Sequence, residues 1–289
     1  MITLTATAMR GAAISFPMFG DFSINPPSFF LLFGKPIYFY GVIIACGMVL
    51  AALYCSKRAP EFGLTEDDLY GMLIWAIPLC VIGARLYFVA FSWDYYSEHL
   101  NEIFSIRNGG LAIYGAVITG VIVAIIWCRA KKVSFFAMAD LASFGLLIGQ
   151  AVGRWGNFMN REAFGAETDI FCRMGLTFEG METLYVHPTF LYESLWNVIG
   201  LIVLHIWTKR GGRKFDGEVF WLYILWYGIG RAWVEGLRTD SLYVGSTDIR
   251  VSQLLAAVSA IAALVIIIVK LKKHPDPDGM YVNRQSERS

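Results

Sequence analysis

The chain has 289 residues, 56% of them hydrophobic and only 16% charged, with a formal net charge of +1 at pH 7 and a mean hydropathy of +0.54. Soluble domains carry about 45–50% apolar and about 25% charged residues, and even a large core needs a polar skin. This composition therefore argues against a water-soluble enzyme, a disordered chain and a nucleic-acid binder, which would show a basic face.

In chain order, residues 1–34 come first. Arg10 is a thin basic start, and Gly11–Met18 is a short apolar run without a small-residue cleavage site. The segment reads as a retained outer arm on the membrane surface. Gly34 and Pro36 then break the chain, and seven stretches approach the roughly 20 apolar residues a spanning helix needs: Ile37–Tyr54, Leu69–Phe91, Leu111–Cys128, Phe135–Val152, Pro188–Trp207, Val219–Val234 and Val251–Val269. Asn108-Gly109-Gly110 precedes the third, and Pro188 opens the fifth. The expected fold is one all-α transmembrane domain, residues 1–289, with an extracytoplasmic cap over 153–187 and a solvated cytoplasmic tail over 270–289.

Basic residues set the expected orientation. Lys57 and Arg58 follow the first span, Arg129, Lys131 and Lys132 the third, Lys209, Arg210, Arg213 and Lys214 the fifth, and Lys270, Lys272 and Lys273 the seventh. Odd-numbered exits are then cytoplasmic by the positive-inside rule, with the N-terminus outside and the C-terminus inside.

A charge within a membrane costs about 2.5–3.5 kcal/mol on insertion scales. Here such groups sort to one side. Arg85 lies about 24 Å up the second span at ~1.5 Å per residue, Arg154 ends the fourth, and Arg231 and Glu235 occupy the outer third of the sixth. Tyr38, Tyr40, Tyr114, Tyr192 and Glu193 fall in the first turns of descending spans; only Asp140 sits towards the inner half. Singly, each tyrosine also fits an aromatic belt, Glu193 also fits an ion pair with one of the arginines that fixes helix packing, Arg231 and Glu235 also fit a local ion pair, and Asp140 fits helix packing. His187 fits loop geometry, and His99, His205 and His274 stand at unremarkable positions. Four cysteines (Cys46, Cys55, Cys80, Cys128) lie in or beside apolar runs as small hydrophobes, and Cys172 alone lies in a polar stretch. No disulfide framework or metal spacing emerges.

The sharpest string is Gly153-Arg154-Trp155-Gly156-Asn157-Phe158-Met159-Asn160-Arg161-Glu162-Ala163-Phe164-Gly165. It places guanidinium and amide donors directly after an apolar span, at the depth of lipid phosphates, which arginine matches bidentately. There is no GxSxG elbow, P-loop or GxGxxG.

Residues 153–165 match the pattern G-R-x-[GA]-N-F-x-N-x-E-x-x-G, and at this string the chain resembles the bacterial prolipoprotein diacylglyceryl transferases. Tyr38-Phe39-Tyr40-Gly41, Gly83-Ala84-Arg85-Leu86, Gly109–Gly115, His187-Pro188-Thr189-Phe190-Leu191-Tyr192-Glu193, and Tyr227–Arg231 with Glu235 and Arg238 resemble further motifs of that family in the same order. The resemblance implies transfer of an sn-1,2-diacylglyceryl group from phosphatidylglycerol to the thiol of a lipobox cysteine in a prolipoprotein signal peptide. A thioether forms and sn-glycerol 1-phosphate leaves, at the extracytoplasmic side of the bacterial inner membrane. It also implies no cofactor beyond the lipid co-substrate, no metal and no nucleic-acid partner.

On that resemblance Arg154 and Arg231 stabilise the leaving phosphate, Asn157 and Asn160 orient the headgroup, and Glu162 and Glu235 hold the arginines. Tyr40 and Tyr192 contact headgroup or glycerol hydroxyls, while Glu193, Arg85, Gly165, Tyr227 and Arg238 complete the expected substrate site. Many relatives carry a histidine, proposed as general base, where this chain has Tyr114. A phenol is a poorer base than imidazole at neutral pH. Either neighbouring arginines activate Tyr114, or the base is the lipid phosphate or Glu235, or the histidine of the relatives is only a hydrogen-bonding group. Three rivals stand beside this reading. A retinal-type protein needs a lysine that Val251–Val269 lacks, a transporter favours midplane polar groups and repeats, and another headgroup transferase would use the same arginines.

Overall fold

Eight α-helices of six or more residues and six short strands make up most of the described residues of the computed structural model, which are 11–20, 22–106, 109–239, 241, 243, 247, 249–273 and 275–286. Arg10, Asn108 and His274 lie outside them. In chain order the strands and longer helices are β1 (Ala13–Ser15), β2 (Ser23–Ile24), β3 (Phe29–Leu32), β4 (Lys35–Tyr38), α1 (Phe39–Arg58), α2 (Glu66–Phe91), α3 (Ile113–Lys131), α4 (Phe135–Asn160), β5 (Met174–Thr177), β6 (Leu184–Val186), α5 (Thr189–Lys209), α6 (Glu218–Glu235), α7 (Val251–Lys272) and α8 (Tyr281–Ser286). Every expected span is a helix, and six of them are long and apolar enough to cross a membrane. Helix α6 falls outside that six: its eighteen residues carry Glu218, Arg231 and Glu235.

The all-α expectation is corrected by a four-stranded antiparallel sheet in the order β2-β1-β5-β6 and a β3–β4 hairpin. Strands of two to four residues give no period-2 signal, and β1 pairs with β5 across most of the chain (Ala13 opposite Thr177). Within the described part of residues 1–34, β1 and β2 are built into the cap sheet, whereas Phe29–Leu32 form a separate hairpin strand with exposed apolar side chains. The cap also begins later than Gly153, because α4 runs on to Asn160. It stops where Arg161 and Ala163 take positive φ, 51° and 57°.

The chain divides into two compact units, residues 1–54 with 142–277, and residues 55–141 with 278–289. In the first unit the sheet covers a small apolar core of Ala12, Ile14, Met174, Leu176, Phe178, Val186 and Phe190, with Phe158 of α4 packed against it. Arg161, only 1% exposed, fastens the early chain to this cap: it donates to the carbonyls of Ala12 (3.1 Å), Met159 (2.6 Å) and Pro26 (2.7 Å) and to Asn25 Oδ1 (2.8 Å).

Helices α5 and α6 are clasped by two tryptophans. Trp196 and Trp226 stack at 4.4 Å, and each indole N–H donates to the other residue's carbonyl at 2.9 Å. The clasp needs two glycines, since a Cβ at Gly200 would strike Trp226 and one at Gly230 would strike Trp196. Such an aromatic pair adds about 0.5–1.5 kcal/mol beyond its area. Gly228 meets Ala256 and Ala260 of α7 in the same close fashion, the small-residue contact that brings helices together where lipid removes the hydrophobic drive. On α7, Val258, Ile261, Leu264 and Val265 remain exposed, as a lipid-facing stripe requires.

In the second unit α2 opens with a capping box, Thr65 and Asp68 bonding reciprocally, and crosses α3 where Gly83 meets Gly115 and Thr119. The 270–289 tail is not simply solvated. Lys270–Lys272 complete α7, and Val282 of α8 packs on Gly63, after the Ala59–Phe62 turn, where φ is +71°.

Candidate active site

The last two turns of α4 present Arg154, Asn157 and Asn160 at three-residue spacing, so the three side chains share a face. Trp155 Nε1 donates to Ser194 Oγ (3.2 Å), which donates to the Ala151 carbonyl (2.9 Å), so α5 is pinned beside this face with Glu193 at its first turn. On the other flank the ring of Tyr40 rests on Gly156, where any side chain would collide with it. Gln150 Nε2 donates to Tyr223 Oη (2.8 Å) and ties α6 to α4, and the tryptophan clasp fixes α6 against α5.

These three helices bring a continuous polar chain together. Asn160 Nδ2 and Asn157 Nδ2 donate to Glu162 Oε1 at 3.3 and 3.0 Å. Asn157 Oδ1 accepts from Arg154 Nη1 at 3.3 Å. Arg154 Nη2 pairs with Glu193 Oε2 at 2.5 Å, and Glu193 Oε1 lies 3.4 Å from Arg231 Nη1. Arg231 Nη2 pairs with Glu235 Oε2 at 2.5 Å. One carboxylate therefore sits between two guanidiniums from different helices. Side-chain exposure falls from 21% at Arg154 to 14% at Arg231, 7% at Glu193 and 2% at Glu235. Two cations and two anions cancel at the centre. An arriving phosphate can enter only by sharing the arginines with Glu193, and a guanidinium offers its fork equally to either anion.

The expected residues divide by place. Arg154, Arg231, Glu193, Glu235, Asn157, Asn160, Glu162 and Tyr40 meet as described, with one exchange of partners: Glu162 holds the two asparagines, and Glu193 holds Arg154. Tyr227, stacked on Tyr223 at 6.0 Å, lines a small cavity with Glu193 and Arg231. Tyr192 turns towards the cap. Its hydroxyl lies 3.3 Å from His187 Nδ1 and 3.6 Å from Cys172 Sγ, and its ring stacks on Trp233 at 5.7 Å. Burial holds the His187 imidazole below its ordinary pKa.

Gly165 and Arg238 form an isolated antiparallel bridge that joins the cap to the end of α6; a Cβ at Gly165 would meet His187 and the Leu237 carbonyl. Arg85 and Tyr114 belong to the second unit. There Arg85, 6% exposed, donates to the carbonyls of Glu102, Ile103, Gly109 and Gly110 and lies over the Tyr96 ring, which is the work of a loop clamp. Tyr114 lies 6.4 Å from Tyr87, ring to ring.

Sequence reasoning passed over Asn197 and Trp196. Both carry a legible signal, since Asn197 follows Glu193 by one helical turn and Trp196 faces Gly230. Arg161 carries none, because three of its four acceptors lie more than a hundred residues earlier in the chain.

A family model described as prolipoprotein diacylglyceryl transferase matches residues 27–269. The chain is 44% identical over 269 residues to the phosphatidylglycerol–prolipoprotein diacylglyceryl transferase of Enterococcus faecalis, covering 90% of this chain and 94% of that protein. Proteins of the same name from Limosilactobacillus reuteri (43% identical, 87% and 93% covered) and Lysinibacillus sphaericus (44%, 86% and 92%) are similarly related.

Proposed function

The chain belongs to the prolipoprotein diacylglyceryl transferase family, and on that premise we propose how its ion-pair network serves the reaction. The protein is a multi-pass membrane transferase. It moves the diacylglyceryl group of phosphatidylglycerol to prolipoproteins, the first step of their lipidation. The observation that carries the mechanism is the convergence of Arg154 and Arg231 on Glu193.

In the proposed step the thiolate of the lipobox cysteine attacks the glyceryl carbon that bears the phosphate. The C–S bond forms as the C–O bond breaks, and the electron pair leaves on a phosphate oxygen of sn-glycerol 1-phosphate. Arg154 and Arg231 take up the charge that grows there, the kind of preorganised stabilisation that supplies most of a barrier reduction. Asn157 and Asn160, held by Glu162, and Tyr40 border the headgroup, while Glu235 fixes Arg231 from behind. No enzyme nucleophile is needed. The thiol proton has a destination in the product: a phosphodiester becomes a monoester, whose second ionisation lies near 6. That route fits a chain with Tyr114 at the histidine position. The step is redox-neutral and consumes only the lipid, so we propose no cofactor.

We further propose that α6 is a seventh crossing, with Arg231 and Glu235 neutralised in the network described above and Glu218 accepting from the Lys214 N–H at 2.6 Å, and that the basic clusters put the N-terminus outside and the C-terminus in the cytoplasm. The arginine network then lies towards the extracytoplasmic side of the bacterial inner membrane. Incubation of purified protein with labelled phosphatidylglycerol and a lipobox peptide tests the reading. A thiol-linked diacylglyceryl product is expected, and headgroup exchange with an unmodified peptide overturns it.

A further inference from the structure

Among the buried polar atoms without a hydrogen-bond partner is one on α5, a turn from Glu193. Asn197 is 4% exposed; its Nδ2 donates to the Glu193 carbonyl at 2.7 Å, while its Oδ1 is fully covered and accepts nothing. The bond to a carbonyl settles which end of the amide is which, because only the nitrogen can face another acceptor. The side chain that carries this oxygen lines the small cavity between α5 and α6, together with Glu193, Tyr227, Gly230 and Arg231. A covered acceptor left empty costs on the order of 1–3 kcal/mol, so the geometry asks for a donor. The cavity has room for roughly one oxygen-sized group, and Arg231 on its wall draws an anion to the same place.

We propose that Asn197 is a hydroxyl-binding, specificity-determining residue: its Oδ1 accepts a hydrogen bond from an O–H group seated beneath Arg231. The inference rests on the functional reading above and deepens it. Two sources share this chemistry, a glycerol hydroxyl of the phosphatidylglycerol headgroup and a single water. A lipid hydroxyl makes Asn197 a reader of the headgroup next to the phosphate that Arg231 holds. A water makes it a positioning residue that acts through Arg231 and Glu193.

Asn197→Leu keeps the volume and removes the acceptor. Asn197→Thr keeps one, since a threonine hydroxyl donates to the carbonyl four residues earlier and leaves lone pairs for the cavity. Transfer is measured with phosphatidylglycerol and with phosphatidylpropanol, which has the same phosphodiester and no headgroup hydroxyl. If the donor is the headgroup, the wild type prefers phosphatidylglycerol by about tenfold in kcat/KM, the leucine variant loses that preference, and the threonine variant recovers it. If the donor is water, the wild type treats the two lipids alike. The leucine variant then loses about tenfold on both, and threonine restores both.

A leucine variant that matches the wild type on both lipids overturns the proposal. So does an equal loss that threonine leaves unrepaired, which marks a purely structural side chain. Asn197→Ala replaces the leucine variant if that protein does not accumulate. Absence of transfer by the wild type falls on the functional reading instead.

Discussion

Arg161 and Arg154 stand seven residues apart in one motif and lead opposite lives. Arg161, at the cap junction, is 1% exposed and surrounded by neutral oxygens: three backbone carbonyls and one amide. Arg154, on the helix, is 21% exposed and pairs with a carboxylate that a second arginine also claims. Neutral acceptors fixed by the fold hold a guanidinium in one place for good. A carboxylate offers a guanidinium the same kind of anionic oxygen pair as a phosphodiester, so the pair can open to admit one. Arg85 repeats the first pattern in the second unit, and Arg231 repeats the second. The acceptor, more than the arginine, tells architecture from chemistry.

Lysine substitution is the severest test of that contrast. Arg154→Lys or Arg231→Lys loses the planar fork and is expected to lower transfer by more than about 100-fold, with insertion and unfolding midpoint near those of the wild type. Wild-type turnover in either purified variant removes the proposed role. Arg161→Ala is expected to do the reverse. It strands several covered acceptors and costs about 3 kcal/mol or more, read as a lower unfolding midpoint in detergent or as poor accumulation.

Glu193→Gln sharpens the idea of a shared anion. Without the competing charge, KM for the lipid is expected to fall while kcat drops about tenfold, because Arg154 loses its carboxylate partner and Arg231 keeps only Glu235. A rise in KM contradicts the competition. Tyr114→Phe is expected to impair transfer by less than about tenfold; complete loss in a folded protein makes this phenol the base.

The smallest effect concerns the cap. With its folded pKa below the unfolded value, His187 contributes stability fully above about pH 6.5. That contribution is lost as the pH falls through the lower folded value. Thermal unfolding at pH 7.5 and 5.5 is expected to show a smaller drop for His187→Gln than for the wild type.

Much of this was legible before any coordinates. The apolar stretches became helices with ends displaced by a few residues, because length and hydropathy are local quantities. The gathering of Arg154, Arg231, Glu193 and Glu235 followed from their depth along the spans. The Arg231–Glu235 pair was legible in its four-residue spacing, but the partner of Arg154 was not fixed, since depth says nothing of rotation about a helix axis, and Glu162 was set beside the arginines where Glu193 stands. The strands stayed hidden because pairing between distant short segments leaves no periodic trace. The contacts of Arg85 were hidden for a related reason: its carbonyl acceptors lie on a neighbouring loop, and any residue type supplies a carbonyl.

Strand β1 has a consequence for biogenesis. It occupies the interior of its sheet, yet its partner β5 follows more than 150 residues later (Ala13 opposite Thr177). At ribosomal rates of about 5–20 residues per second, the nascent N-terminal strand waits on the order of 8–30 s, while four helices are made, before its neighbour exists. Assembly of the cap is therefore a late event in the life of each new molecule. Until β5 emerges, one edge of Ala13–Ser15 is unpaired and open to whatever strand the surroundings offer.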